Sequence, residues 1–112
     1  MPARITSELF VAQLVRRIFA DGGFAAVERR GAAAAGAIFV VVRGRGREIA
    51  LFSPAIQMLA SDDGERRFMK EDVADEPALA GRFEREARFD PDFWLVEIET
   101  DEPERYLALA EE

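Results

Sequence analysis

Ala37-Ile38-Phe39-Val40-Val41-Val42, then Gly44-Arg45-Gly46, then Glu48-Ile49-Ala50-Leu51-Phe52-Ser53: this stretch decides the fold. Two apolar runs joined by a short tip with glycines at both ends spell a β-hairpin. The first run is apolar at every position and largely β-branched, so both of its faces must be covered, as in a central strand. In a chain this small, a terminal helix supplies one cover. The expected source of the other is a second copy of the chain, which makes a homodimer the expectation.

Upstream of the hairpin, Thr6 or Ser7 can cap a helix in which Leu9, Phe10, Leu14, Val15, Ile18 and Phe19 recur at helical spacing. Gly22-Gly23 ends it, because glycine accepts the left-handed conformation that a helix terminus often needs. Phe24 to Arg30 reads as a first strand, with Ala25 and Val27 on one face and Phe24 and Ala26 on the other. Gly31 to Gly36 has the glycine spacing of a phosphate loop. It lacks the following lysine and hydroxyl, so its small residues are expected to serve close backbone approach instead.

Downstream, Pro54 breaks the strand, and Ala55 to Leu59 fits either extended chain or a helical turn. Asp62-Asp63-Gly64 is a turn signal, and Arg66 to Lys70 a short strand near an edge. Asp75-Glu76-Pro77 starts a second helix running to about Arg88, with Leu79, Phe83 and Ala87 inward. Glu84 with Arg88, and Arg82 with Glu86 in the weaker order, are the expected pairs on its surface. Phe93 to Glu99 alternates clearly, Trp94, Val96 and Ile98 against Leu95, Glu97 and Glu99. Tyr106 to Leu109 is either a last edge strand or a short helix, with strand preferred. The predicted fold class is a single α+β domain of two layers. Its mostly antiparallel sheet of four to six strands is packed by both helices, in the order α-β-β-β-β-α-β(-β).

Composition narrows the chemistry. The 112 residues are 49% apolar, enough for one core without metal or disulfide staples. There is no cysteine and no histidine, which removes thiolate chemistry and the usual general base. No enzyme, cofactor or metal site is therefore expected. The apolar runs are too short to span a bilayer and no signal-peptide core is evident, so a cytoplasmic location away from membranes is expected. The net charge of −7 is polarised: residues 1–53 hold eight Arg against four acids, and the remainder seven basic residues against eighteen acids. That acidic total speaks against broad nucleic-acid affinity, while the asymmetry suits head-to-tail pairing of copies.

Taken together, Thr6-Ser7-Glu8-Leu9 with Arg16-Arg17, Arg29-Arg30-Gly31 leading to Ala35-Gly36-Ala37-Ile38, Glu65-Arg66-Arg67-Phe68, and the run Arg88 to Glu99 resemble a family of short bacterial proteins known as DUF1491. The likeness covers nearly the whole chain, and the last run is its most specific part. It implies a compact bacterial domain and brings no catalytic residue, substrate or cofactor with it. The family pattern places an aromatic such as Trp where Phe10 stands, and a polar or acidic residue where Ala32 stands.

Three clusters are candidate sites. Arg43, Arg45 and Arg47 at the hairpin tip could grip a phosphate or carboxylate bidentately, or stand as a solvated loop. Arg29 and Arg30 belong at the opposite end of the sheet, where salt bridging to the acidic C-terminal half is the expectation. Asp90, Asp92, Glu97 and Glu99 offer oxygen ligands for a hard cation. Strand rise carries Glu97 and Glu99 roughly 15 Å or more from Asp92, so the aspartates are expected to shape the helix-to-strand junction instead. The chain thus reads as a non-enzymatic module for homo-oligomeric or other protein contacts, with nucleic-acid or small-anion binding at Arg43–Arg47 as the alternative.

Overall fold

The structure, a computed structural model, describes residues 5–55 and 65–110. Helix α1 (Ser7–Ala20) is followed by strands β1 (Phe24–Arg29), β2 (Ile38–Arg43), β3 (Ile49–Pro54) and β4 (Arg67–Glu71). Helix α2 (Glu76–Phe89), strand β5 (Trp94–Glu99), a 3₁₀ turn (Pro103–Arg105) and a two-residue strand β6 (Ala108–Leu109) complete the elements of the described residues. The order of elements matches the sequence expectation, with Tyr106 to Leu109 closing on a strand. The ambiguous Ile56–Leu59 and the Asp62-Asp63-Gly64 turn lie outside the described residues.

The sheet order is β1-β5-β2-β3-β4-β6, and the sheet is mixed rather than mostly antiparallel. β2 pairs with β5 in parallel from Ile38↔Trp94 to Arg43↔Glu99, and β4 pairs in parallel with β6. β1–β5, β2–β3 and β3–β4 are antiparallel. A parallel return requires a crossover, and α2 provides it between β4 and β5.

That crossover also corrects the layer count. Ile38, Val40 and Val42 of β2 pack with Val11, Leu14 and Ile18 of α1, while Phe39 and Val41 pack with Leu79, Phe83 and Ala87 of α2. The helices therefore cover opposite faces, giving three layers instead of two. All five residues Ile38–Val42 are buried. The central strand is walled in on both sides as expected, but its second wall is α2 of the same chain, not a second subunit. On that side Phe39, Phe83 and Phe93 form one cluster, with ring centroids 5.4–5.6 Å apart.

Both helices begin as their sequences dictate. The Thr6 side chain accepts from the Leu9 amide at 3.2 Å, and that of Asp75 from the Ala78 amide at 2.9 Å. Gly22, at φ +81°, turns the chain out of α1. The buried stripe of α1 is narrower than its apolar pattern: Ser7, Val11, Leu14 and Ile18 face the sheet, whereas Leu9 and Phe19 are exposed. On α2, Arg82 pairs with Glu86 at 2.8 Å and also with Glu71 of β4. The expected Glu84–Arg88 pair does not form.

The loop from Gly31 to Gly36 is a docking point. Its Ala32 amide donates to the Asp92 carbonyl at 2.9 Å, and the Trp94 indole N–H donates to the Ala32 carbonyl at 2.8 Å. A Cβ at Gly31 would overlap the Asp92 carbonyl, and one at Gly36 would sit 2.5 Å from it. The close-approach reading of these glycines holds. The first turn of α1 closes onto the same loop: the Ser7 and Glu8 amides donate to Ala34 and Ala33, and the Ser7 hydroxyl to Gly36.

Candidate functional site

Parallel pairing brings the C-terminal ends of β2 and β5 side by side, with Arg43 opposite Glu99. A cleft of about 880 Å³ opens there, reached by Arg43, Arg45, Arg47 and Arg105. Crevices at the carboxyl ends of parallel strands are a usual place for ligands, so the hairpin tip stands where a binding site would be expected. Its electrostatics argue otherwise.

Two of the three tip arginines, Arg43 and Arg45, meet a carboxylate of the chain itself. Arg43 forms a bidentate pair with Glu76 at the start of α2, and its Nε lies 3.1 Å from Glu97. Glu76 and Glu97 together hold the Arg43 guanidinium above its ordinary pKa, against the opposing effect of burial. In return Arg43 holds the Glu76 carboxyl below the usual carboxylate range. The Arg45 amide donates to Asp101 at 2.9 Å, and its side chain, 95% exposed, reaches the same carboxylate at 3.5 Å. The inner side of the Gly44–Gly46 turn is occupied by Glu48, whose Oε2 lies 2.6 Å from where a Cβ on Gly46 would stand. Arg47, at φ +66°, is exposed and has no ion pair among the described residues. The carboxylates of Glu99 and Glu102 add further negative charge to the cleft.

The far wall of the cleft is a second self-satisfied cluster. The Tyr106 hydroxyl donates to Asp21 Oδ2 at 2.5 Å, and this bond pushes the phenol above its ordinary pKa. The Arg17 and Arg105 guanidiniums lie 5.4 and 5.6 Å from the Tyr106 ring centroid. Arg105 also reaches Asp21 at 3.7 Å, and Arg17 donates to the Arg105 carbonyl at 2.7 Å. These contacts tie the C-terminal segment to α1.

Arg29 and Arg30 lie at the opposite end of the sheet from Arg45, as the strand directions require. Arg29 stacks 4.4 Å from the Phe93 ring centroid and donates to the Pro91 carbonyl. Arg30 stacks on Trp94 and pairs with Glu8 of α1 at 2.9 Å. Its acidic partner is therefore in the N-terminal half, contrary to expectation. Of the acidic candidates, Asp90 accepts from the Asp92 amide in a turn and Glu97 is held by Arg43. No group of three or more metal-ligating side chains exists among the described residues. No helix among them is long and apolar enough to cross a membrane.

The sequence did not single out the outer edge of β1, which is the most exposed apolar feature of the sheet. Among the described residues β1 pairs only with β5, leaving one side of its backbone without a neighbouring strand. Phe24 is 42% exposed and Val27 39% exposed, while Phe19 of α1, 54% exposed, packs edge-on against Phe24. The Glu8–Arg30 and Phe19–Phe24 contacts place this flank of α1 over β1, and helical spacing adds Ala12 and Val15 between them. The available signal was angular: Phe19 lies about 100° around the helix from Ile18, off the stripe formed by Val11, Leu14 and Ile18.

Comparison with known proteins agrees with this fold. The solution structure of protein Atu0922 from A. tumefaciens is 49% identical, with a TM-score of 0.84 and 97% of both chains covered. A crystal structure of a DUF1491 family protein from Caulobacter crescentus CB15 is 39% identical, with a TM-score of 0.75, covering 94% of this chain and 98% of that one. An NMR structure of a DUF1491 family protein from the same organism is 38% identical, with a TM-score of 0.75, covering 96% and 97%. No curated protein matches the chain. The model of the family described as "Protein of unknown function (DUF1491)" matches residues 5–108. On that match and those structures, the chain belongs to the DUF1491 family.

Proposed function

We propose that this chain is a non-enzymatic protein-contact module that works through the outer edge of β1. One observation carries the reading: the edge strand β1, with no neighbouring strand on its outer side among the described residues, carries exposed Phe24 and Val27, with exposed Phe19 of α1 beside Phe24. Sheet edges are ordinarily blunted by charged side chains, proline, β-bulges or very short strands, because an open edge templates pairing with another chain. In β1 the bulge between Val27 and Arg29 and the charges of Glu28 and Arg29 blunt only the C-terminal end, leaving Phe24–Val27 open, whereas the opposite edge, β6, is only two residues long. Phe19 and Phe24 touch and form an exposed apolar pair at this edge, and exposed apolar surface that is contiguous marks interaction sites. The sequence's want of histidine and cysteine supports the non-enzymatic half of the reading.

Nucleic-acid or small-anion binding at the Arg43–Arg47 tip is the weaker reading. Glu48, Glu76, Glu97 and Asp101 already sit where phosphates would. The experiment is site-specific photo-crosslinking in the native host from a probe at Phe24, with Arg85 on the outer face of α2 as control. Protein adducts from Phe24 and not from Arg85 are expected. Equal adducts from both positions, or none from Phe24, would overturn the proposal.

A further inference from the structure

We infer that the cleft between the hairpin tip and the exit of β5 binds a small molecule carrying one carboxylate and two amines, with Arg47 on the carboxylate and Glu99 and Glu102 on the amines. The site stands apart from the contact reading of β1 and goes beyond it.

Arg47 makes the case. Its backbone stands at φ +66°, and it is the one non-glycine residue with positive φ among the described residues. Side chains enter that region only against a steric penalty, and residues held there gather at ligand-binding sites. The Arg47 amide donates to the Gly44 carbonyl at 3.1 Å, and the Gly44 amide to the Glu48 carbonyl at 3.1 Å, so the turn closes with its left-handed residue last. Glycine is the residue that such a turn favours at that place. This tip has glycine at 44 and 46, where φ is not positive, and an arginine at 47, where it is. Stability of the turn does not account for that choice. The Arg47 side chain is exposed, lines the cleft and has no ion pair among the described residues.

The remaining charges decide what Arg47 can meet. Arg43 is taken by Glu76 and Glu97, Arg45 by Asp101, and Arg105 by Asp21. Glu48 tucks its carboxylate against Gly44 and Gly46 and does not line the cleft. That leaves Arg47 with Glu99 and Glu102, two exposed carboxylates that line the cleft without an ion pair among the described residues. The loops that carry them are fixed to each other: the Thr100 amide donates to the Arg43 carbonyl at 3.1 Å, and the Arg45 amide to Asp101 at 2.9 Å. A plain anion is repelled by the two glutamates, and a plain cation leaves Arg47 unanswered. One carboxylate with two amines answers all three groups and leaves no net charge. The cleft, at about 880 Å³, has the size of a small-molecule site. Phe24 and Tyr106 line it as well, giving apolar surface to the carbon chain between the charges.

Amide NMR shifts of the full chain read the site directly, with lysine, cadaverine and Nε-acetyllysine as probes. Cadaverine lacks the carboxylate, and Nε-acetyllysine lacks one charged amine. Lysine at millimolar concentration should give saturable shifts confined to residues 21–24, 43–47 and 99–106. Each of the other two should bind about tenfold more weakly, the worth of one charge-assisted hydrogen bond. Arg47→Gln should bring lysine down to the level of cadaverine and leave cadaverine where it was. Glu99→Gln with Glu102→Gln should remove both. Arg47→Gly should lose lysine in the same way yet raise the urea midpoint, because glycine occupies the left-handed position without strain. No shift at these residues, equal affinity for lysine and cadaverine, lysine binding that survives Arg47→Gln, or a midpoint lowered by Arg47→Gly would each overturn the inference.

Discussion

Replacing Phe39 by alanine should destabilise the fold by about 4 kcal/mol, because the face it occupies is closed within the chain. Phe39 is 4% exposed and its ring meets Phe83 and Phe93 at 5.4 and 5.6 Å. Phe-to-Ala changes in cores cost about 3–5 kcal/mol, and each edge-on aromatic contact is worth about 0.5–1.5 kcal/mol beyond burial. Phe83 and Phe93 stack on one another across the gap and cannot both collapse into it, which puts the loss in the upper half of that range. With an unfolding entropy of about 2.1 cal/mol/K per residue, 112 residues give roughly 240 cal/mol/K. The midpoint should fall by about 17 °C. Urea titrations of the native and Phe39→Ala chains at two protein concentrations read this directly. A loss below about 1 kcal/mol, far under the range for buried aromatics, or a loss that grows on dilution, would refute the account of α2 as the second wall.

Other consequences can be checked one at a time. Ser7→Ala removes a buried hydroxyl that donates to Gly36 at 2.6 Å and accepts from Arg66 at 3.1 Å, and should cost about 1–3 kcal/mol in a urea titration. Gly31→Ala should cost about 1–3 kcal/mol by the same measurement, since the added methyl meets the Asp92 carbonyl. Tyr106, the chain's one tyrosine, should ionise above the ordinary tyrosine pKa when followed by ultraviolet absorbance, and Asp21→Asn should lower that value. Because the folded-state pKa is raised, the stabilising bond is fully present below about pH 10 and is lost as pH rises through the folded value. Arg45→Ala with Arg47→Ala should leave retention on a heparin column nearly unchanged at low salt, because Asp101 answers Arg45 and Glu76, Glu99, Asp101 and Glu102 line the cleft that Arg47 reaches.

What the sequence made legible was local. The hairpin at Ala37–Ser53, the caps at Thr6 and Asp75, the alternation of Trp94 to Ile98 and the stripe Leu79, Phe83, Ala87 each follow from spacing within a dozen residues. What it hid was register between distant segments. Nothing near Ile38 says that Trp94 will lie beside it in parallel, or that α2 will cross on the far face from α1. Without that crossover, the doubly apolar strand lacked a wall and a second subunit seemed required. The partners of the arginine tip were hidden for the same reason. Arg43 and Arg45 look free in sequence, while the acids that answer them, Glu76, Glu97 and Asp101, come from α2, from β5 and from the segment after it. The β1 edge escaped notice because a strand's place at the margin is a property of the whole sheet.

The place of β5 between β1 and β2 has a further consequence, for synthesis on the ribosome. Strands made early must wait for one made late: among the described residues β1 has no partner strand until residues 94–99 have emerged. The hairpin of β2 and β3 can form as soon as it is free, but assembly of the sheet then closes a loop of more than fifty residues, a slow step among contacts of high sequence separation. A nascent chain stalled after β4 should carry an orphan strand with exposed phenylalanine and valine, the kind of segment that chaperones bind. Quality control of this small protein should therefore hinge on its last quarter.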